Sequence, residues 1–166
     1  MEIKKIFVAG AGLMGGGIAQ VCAQAGYEVV MRDISEHILN KSLKAVQWSV
    51  GKLVEKGKVQ GSVEEILGRL KTTTDLSQAA DADFVFEAII ENLEAKRGLF
   101  AELDNLCPAH TIFATNTSAI PVTEIADLVR GFAIWAIAVR SFRLHDQFLQ
   151  YERHTEPDQR LWLPEC

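Results

Sequence analysis

A chain of 166 residues is long enough for one domain with a real core. With 48% hydrophobic and 23% charged residues it has the make-up of a folded globular protein, which excludes a disordered or low-complexity chain. Its net charge of -5 disfavours nucleic acid and anionic membrane surfaces, because both select for basic faces. The apolar residues between 6 and 31 are interrupted by glycines and meet Glu28, Arg32 and Asp33, so they form neither a secretory core nor a membrane-spanning helix. Cys22, Cys107 and Cys166 fit no zinc spacing, and three is an odd number for a disulfide framework. A reducing, cytoplasmic setting is expected, with no metal site and with Cys22 as a small core residue.

In chain order, Lys4–Ala9 is an apolar, β-rich run bounded by glycine, the pattern of a buried parallel strand. A glycine-rich turn leads into a helix through Met14, Ile18, Val21, Cys22 and Ala25, which Gly26 ends. Tyr27–Met31 is a second strand, with Asp33 just past its end. Ser35 caps a long amphipathic helix carrying Ile38, Leu39, Leu43, Val46, Val50, Leu53 and Val54, which gives way to the polar Glu55–Lys58. Val63–Leu70 reads as a shorter helix, Asp83–Ile90 as a buried strand and Glu94–Leu106 as a helix closed by Pro108. Thr111–Thr115 is a strand, Val122–Val129 a helix and Phe132–Val139 a further candidate strand. Strands alternating with helices predict an α/β fold: a Rossmann-like, doubly wound, mostly parallel sheet. The expected organisation is a nucleotide-binding domain over 1–139 and an irregular tail over 140–166, where no period of either kind is visible.

Gly10, Gly12 and Gly15 form GAGLMG, a G-x-G-x-x-G that follows a strand and opens a helix. Gly10 permits the tight turn, Gly12 lets a pyrophosphate approach the backbone, and Gly15 lets helix and sheet pack closely. Leu13 and Met14 sit between them, where helix N–H groups and the positive end of the helix dipole meet the phosphates. Asp33 follows at about the spacing at which an acid binds both ribose hydroxyls. It would repel a 2′-phosphate, which favours NAD over NADP. Arg32 beside it leaves a smaller NADP alternative, and a plain tight turn with a solvated acid is the reading without a ligand.

The phrases KKIFVAGAGLMGGGIAQVCAQAGYEVVMRDIS, VEKGKV, TTTDL, DADFVFEAIIENLEAKRGLFAELD and IFATNTSAIPVTEIA resemble the NAD-binding half of bacterial 3-hydroxyacyl-CoA dehydrogenases. The likeness runs from about Lys4 to about Arg130. It implies NAD as cofactor and an acyl-CoA substrate, in fatty-acid or butanoate metabolism. By resemblance, Glu91 and Lys96 approach the nicotinamide side of NAD, Asn116 contacts the cofactor, and Ser118 binds the substrate's 3-oxygen as the catalytic candidate. Ser49 and Lys56 match residues that hold the CoA moiety. Asn116–Ser118 also follows a strand, at the edge where open α/β sheets bind ligands. Lys52, Lys56 and Lys58 form a basic cluster suited to a phosphate. The plainer alternatives are that Ser118 caps the next turn, that the lysines are a solvated helix end, and that Glu91 and Lys96 are surface charges.

Beyond Arg130 the resemblance stops. The family places its general base, a histidine in a phrase like HFFNP, at a point corresponding to about Val139; here the text is AIAVRSFRLHD. Histidine suits that role because its pKa lies near working pH. His145, beside Asp146, is the nearest substitute. The resemblance further leads us to expect that the family's helical second domain and its dimer interface are missing, that the chain is a truncated or frame-shifted product with little activity, and that an exposed apolar tail promotes self-association. Three functions follow: an NAD-dependent 3-hydroxyacyl-CoA dehydrogenase, a non-catalytic NAD-binding module, or a related dehydrogenase of a hydroxy or sugar acid.

Overall fold

Alternate residues of the first strand enter two different cores. In β1 (Lys5–Ala9), Ile6 and Val8 pack on one side of the sheet and Phe7 and Ala9 on the other. All four are at most 1% exposed. A strand buried on both faces must be covered by helices on both faces, and β1 therefore lies at the centre of a doubly wound sheet. The computed structural model describes residues 2–126 and 134–136.

After β1 come α1 (Leu13–Gln24), β2 (Glu28–Arg32), α2 (Glu36–Glu55), α3 (Val63–Gly68) and β3 (Leu70–Thr73). A 3-10 turn at Leu76–Ala79 leads to β4 (Phe84–Glu87), α4 (Leu93–Leu106), β5 (Ile112–Thr115), α5 (Thr123–Ala126) and β6 (Ile134–Ala136). The six strands lie in the order β3-β2-β1-β4-β5-β6, and every pairing is parallel. Helices α1, α2 and α3 cover one face through Ile18, Cys22, Leu39, Val46, Val50 and Ile66. Helix α4 and the 3-10 turn cover the other through Leu99, Phe100, Leu103 and Ala79. There Phe100 meets Phe113 edge to face, with ring centroids 5.9 Å apart, a geometry the ring quadrupoles favour. Burial pushes the Cys22 thiol up to about 12, as expected of an inert core residue.

Side chains cap the later helices: Ser35, the cap expected from the sequence, accepts from the Ile38 N–H, and the structure adds a reciprocal capping box of Ser62 and Glu65 and an Asn92 side chain that accepts from the Ala95 N–H. The expected helix over Val63–Leu70 is corrected by the structure. It ends at Gly68, and Leu70 instead opens β3, pairing with Val29 of β2. β3 is the outer strand next to β2, and only Leu70 of its four residues is buried. The strand expected over Asp83–Ile90 is shorter, because the chain turns away from the sheet after Glu87. β6 falls inside the candidate strand Phe132–Val139 and pairs with β5. The boundary at 139, the tail 140–166, the base position near Val139 and His145 lie outside the described residues.

Candidate functional site

The chain winds from β1 out to β2 and β3, then returns to lay β4 on the other side of β1. The turns after β1 and β4 therefore diverge at the carboxyl edge, the switch point where open α/β sheets bind ligands. At that point two turns touch. Gly10 has φ +107°, and a Cβ on it would collide with the Ala88 carbonyl just after β4. The Gly10 N–H donates to the Arg32 carbonyl at 2.7 Å, so the same residue is also tied to β2. A Cβ on Gly15 would strike the Gly10 carbonyl oxygen, so α1 begins in direct contact with the turn.

Gly12 differs from both. The space its Cβ would fill holds nothing within 4 Å. Gly12 is the N-cap of α1 and offers no side chain, and no acid lies in the first turn. Helix geometry leaves the Leu13, Met14 and Gly15 N–H groups without intrahelical acceptors. Both Leu13 and Met14 are exposed, at 94% and 39%. Open space, unused donors and the positive helix end together make a cradle of the right kind for a pyrophosphate.

Asp33 closes the adjoining side. Its Oδ2 accepts the Ala11 N–H at 2.9 Å and its Oδ1 accepts the Ser35 N–H at 3.2 Å. A carboxylate oxygen can accept more than one bond, so both remain usable by ribose hydroxyls. Arg32 turns its Nε toward the Thr74 carbonyl, at 3.3 Å. Ile34 and Ile90, just past β2 and β4, are 82% and 72% exposed, and with Leu13 they put unpartnered apolar surface at the ends of three adjacent strands. Their exposure has no counterpart in the sequence pattern, which marks them only as apolar.

At the other end of the crevice, five residues form a closed ring, one link of which is the Thr117 backbone N–H. Lys96, 1% exposed, donates to Glu87 Oε1 at 2.7 Å and Oε2 at 2.8 Å, and lies 3.2 Å from Glu91 Oε2. Glu91 Oε1 accepts from the Thr117 hydroxyl and from the Ala119 N–H at 3.3 Å. The Thr117 N–H donates to the Thr115 hydroxyl oxygen at 3.2 Å, and that hydroxyl donates back to Glu87 Oε2 at 2.6 Å. The hydroxyl of Thr117 holds the Glu91 carboxyl below the usual carboxylate range; burial opposes it, and Lys96 and the Ala119 N–H add to the lowering. Lys96 is thus no surface charge. Its three donors serve carboxylates, and it is Glu91, with 41% of its side chain exposed, that faces outward.

Asn116 is half-buried, Thr117 buried and Ser118 exposed, so the two candidate ligands flank a residue that points into the ring. The Asn116 N–H donates to the Glu87 carbonyl at 2.8 Å, which fixes this turn beside β4. The structure therefore brings Gly10, Gly12, Leu13, Met14, Gly15, Asp33, Glu91, Asn116 and Ser118 to one edge of the sheet, with Lys96 behind them. It does not bring Ser49 and Lys56 there. Ser49 lies on α2, half-buried, and Lys56 is the exposed C-cap of that helix; about 1.5 Å per residue puts Ser49 roughly 20 Å along the axis from Ser35. Seven residues separate the two, which places them on one helix face two turns apart. Lys52, in the same cluster, pairs with Glu55 at 2.8 Å.

Sequence reasoning missed Glu87, Thr115 and Thr117. The available signal was an acid closing the otherwise apolar run FVF, an arrangement that demands a buried partner. It also missed Gly16, where a Cβ would crowd the Ser42 hydroxyl and separate α1 from α2. Among the described residues no helix is long and apolar enough to cross a membrane, and no cluster of three or more His, Cys, Asp or Glu could hold a metal ion.

Comparison with known proteins agrees with this geometry. Residues 5–133 match the family described as 3-hydroxyacyl-CoA dehydrogenase, NAD binding domain. The chain belongs to the 3-hydroxyacyl-CoA dehydrogenase family. It carries that family's NAD-binding domain on a Rossmann-like parallel sheet. A probable 3-hydroxybutyryl-CoA dehydrogenase of Bacillus subtilis is 46% identical over 127 residues, covering 76% of this chain and 44% of that protein. A second, from Deinococcus radiodurans, is 48% identical over 122 residues, covering 74% and 44%. The crystal structure of 3-hydroxybutyryl-CoA dehydrogenase from Escherichia coli superposes with a TM-score of 0.76 at 37% identity, over 81% of this chain and 29% of that one. The chain thus spans less than half the length of these two curated relatives.

Proposed function

We propose that this chain supplies the NAD-holding half of a reaction that passes hydride between C3 of a 3-hydroxyacyl-CoA and the cofactor. The observation that carries the reading is the cradle between the Gly12 turn and Asp33, continued to Glu91, Asn116 and Ser118 along one sheet edge. NAD bound there supplies the hydride acceptor or donor. Backbone N–H groups of the first turn of α1 take the pyrophosphate, and Asp33 takes the ribose hydroxyls while excluding a 2′-phosphate. Asn116 and Ser118 are placed to orient polar groups at the reacting end, with Ser118 on the substrate's 3-oxygen. Ser49 on α2 and Lys56 at its C-terminal cap are suited to the distant CoA end, Lys56 as a point charge for phosphate. Calorimetry with NADH and NADPH tests the site: NADH binds more tightly, and equal or tighter NADPH binding overturns the role of Asp33.

A second reading, a module that binds NAD without turnover, is favoured by one feature of the sequence. The segment AIAVRSFRLHD holds no histidine where the family's base is expected. A missing general base lowers the rate by about 10²–10⁴. The expected result is cofactor binding with little oxidation of 3-hydroxybutyryl-CoA, followed through the near-ultraviolet absorbance of NADH. Robust turnover overturns this second reading, and its loss in His145→Ala identifies His145 as the displaced base.

A further inference from the structure

The ring around Lys96 joins three separate pieces of the crevice edge. Glu87 ends β4, Lys96 stands in the first turns of α4, and Thr115 and Thr117 bracket the end of β5. Glu87 is the hub. It is 0% exposed, and its carboxylate takes Lys96 on both oxygens, the Thr115 hydroxyl on Oε2 and the Ile89 N–H on Oε1 at 2.8 Å. Every contact it makes is with the protein, and it touches no surface that a ligand reaches. The ring has a second property. Two carboxylates share one ammonium, so one negative charge is left over, and it falls on Glu91, the member that faces out.

Each bond in the ring constrains a neighbour that does face the crevice. Thr117 lies between Asn116 and Ser118, and its inward hydroxyl both donates to Glu91 and accepts the Ile120 N–H at 3.1 Å. Turning Thr117 out of the ring would turn Asn116 and Ser118 with it, because the three are consecutive in one short turn whose Asn116 and Thr117 N–H groups are tied to the Glu87 carbonyl and the Thr115 hydroxyl. The Glu87 carboxylate also sets where Lys96 can hold Glu91.

We propose that Glu87 is a positioning residue. Acting through Lys96, Thr115 and Thr117, it fixes Glu91, Asn116 and Ser118 at the nicotinamide end of the crevice without touching the cofactor. Held in this way, the polar groups need little reordering when a ligand arrives, which is the usual origin of affinity gained by preorganisation. The proposal rests on reading the crevice as a dinucleotide site, with the glycine turn and Asp33 at one end and the ring at the other.

That polarity allows a test by two ligands. NADH spans both ends, whereas ADP-ribose lacks the nicotinamide and engages only the glycine turn and Asp33. Calorimetry on the full chain compares both for the parent, Glu87→Gln, Thr117→Val and Thr117→Ser. Thr117→Val breaks the ring by removing one hydroxyl without unpairing a buried charge, so it reports even where Glu87→Gln does not fold. Glu87→Gln and Thr117→Val are expected to weaken NADH binding about tenfold, the order for one hydrogen bond to a charged group, and to leave ADP-ribose binding as in the parent. Thr117→Ser, which keeps the hydroxyl, restores NADH binding. Equal losses for both ligands mean that the ring only supports the fold, and they overturn the proposal, as does NADH binding at the parental level in Glu87→Gln and Thr117→Val. A parent that binds neither ligand overturns the crevice reading itself, and the proposal with it.

Discussion

The carboxylate of Asp33 accepts the backbone N–H of Ala11 at 2.9 Å, bridging the end of β2 to the middle of the glycine turn. One acid thus shapes the turn and faces the expected ribose. Asp33→Ala should cost about 1 kcal/mol of stability for the lost hydrogen bonds. It should also weaken NADH binding and narrow the preference over NADPH, since the repulsion of a 2′-phosphate is gone. Urea unfolding and calorimetry on the same variant separate the two effects. An unchanged preference would show that Asp33 serves the turn alone.

Gly12→Val should abolish binding of either cofactor and leave the fold intact. The space that the new side chain enters is open in the protein, and it is the space that the proposed pyrophosphate site requires. Circular dichroism and thermal unfolding should match the parent within about 1 kcal/mol. The contrasting variant is Gly15→Val, whose Cβ would meet the Gly10 carbonyl and which should lose the fold as well.

Removing one member of the buried pair should be worse than removing both charges. Lys96→Met leaves the fully buried Glu87 carboxylate without its cation and should cost about 3–5 kcal/mol. Adding Glu87→Gln to that variant should recover a large part of the loss, as urea unfolding would show. Strict additivity of the two substitutions would mean that the pair is not coupled.

The Glu91 carboxyl titrates below its ordinary value of 4.5 because the Thr117 hydroxyl, then Lys96 and the Ala119 N–H, favour its charged form. A lowered folded value contributes stability that is present above the unfolded value and is lost as pH falls through the folded one. Glu91→Gln should therefore be less acid-sensitive than the parent below about pH 4.5, measured by urea unfolding across that range. Parallel curves for variant and parent would contradict the assignment.

The winding of the fold was legible because its strands are buried on both faces and read as apolar runs between glycine-rich turns. β3 was not legible. Its sequence LKTT buries only Leu70, and a strand at that outer position takes its identity from β2 rather than from its own pattern. Of the site, Gly10, Gly12, Gly15 and Asp33 were legible because each is demanded by local backbone geometry or spacing. The ring was not, because Glu87 and Lys96 become partners only when β4 and α4 pack, and a lysine on a helix with charged neighbours looks solvated. Thr117 was hidden for a similar reason: nothing in NTS says which of its three side chains turns inward.

The strand order also governs how the chain comes together. β1 pairs on one side with β2, which follows it closely, and on the other with β4, which begins some 75 residues after β1 ends. At synthesis rates of about 5–20 residues per second, the Lys5–Ala9 edge waits roughly 4–15 s for Phe84–Glu87 to emerge. During that interval a short apolar edge, KIFVA, stands unpaired next to an incomplete core, the condition under which nascent chains associate with one another. Slower translation between residues 33 and 83 lengthens the exposure, whereas faster passage through α2 and α3 shortens it.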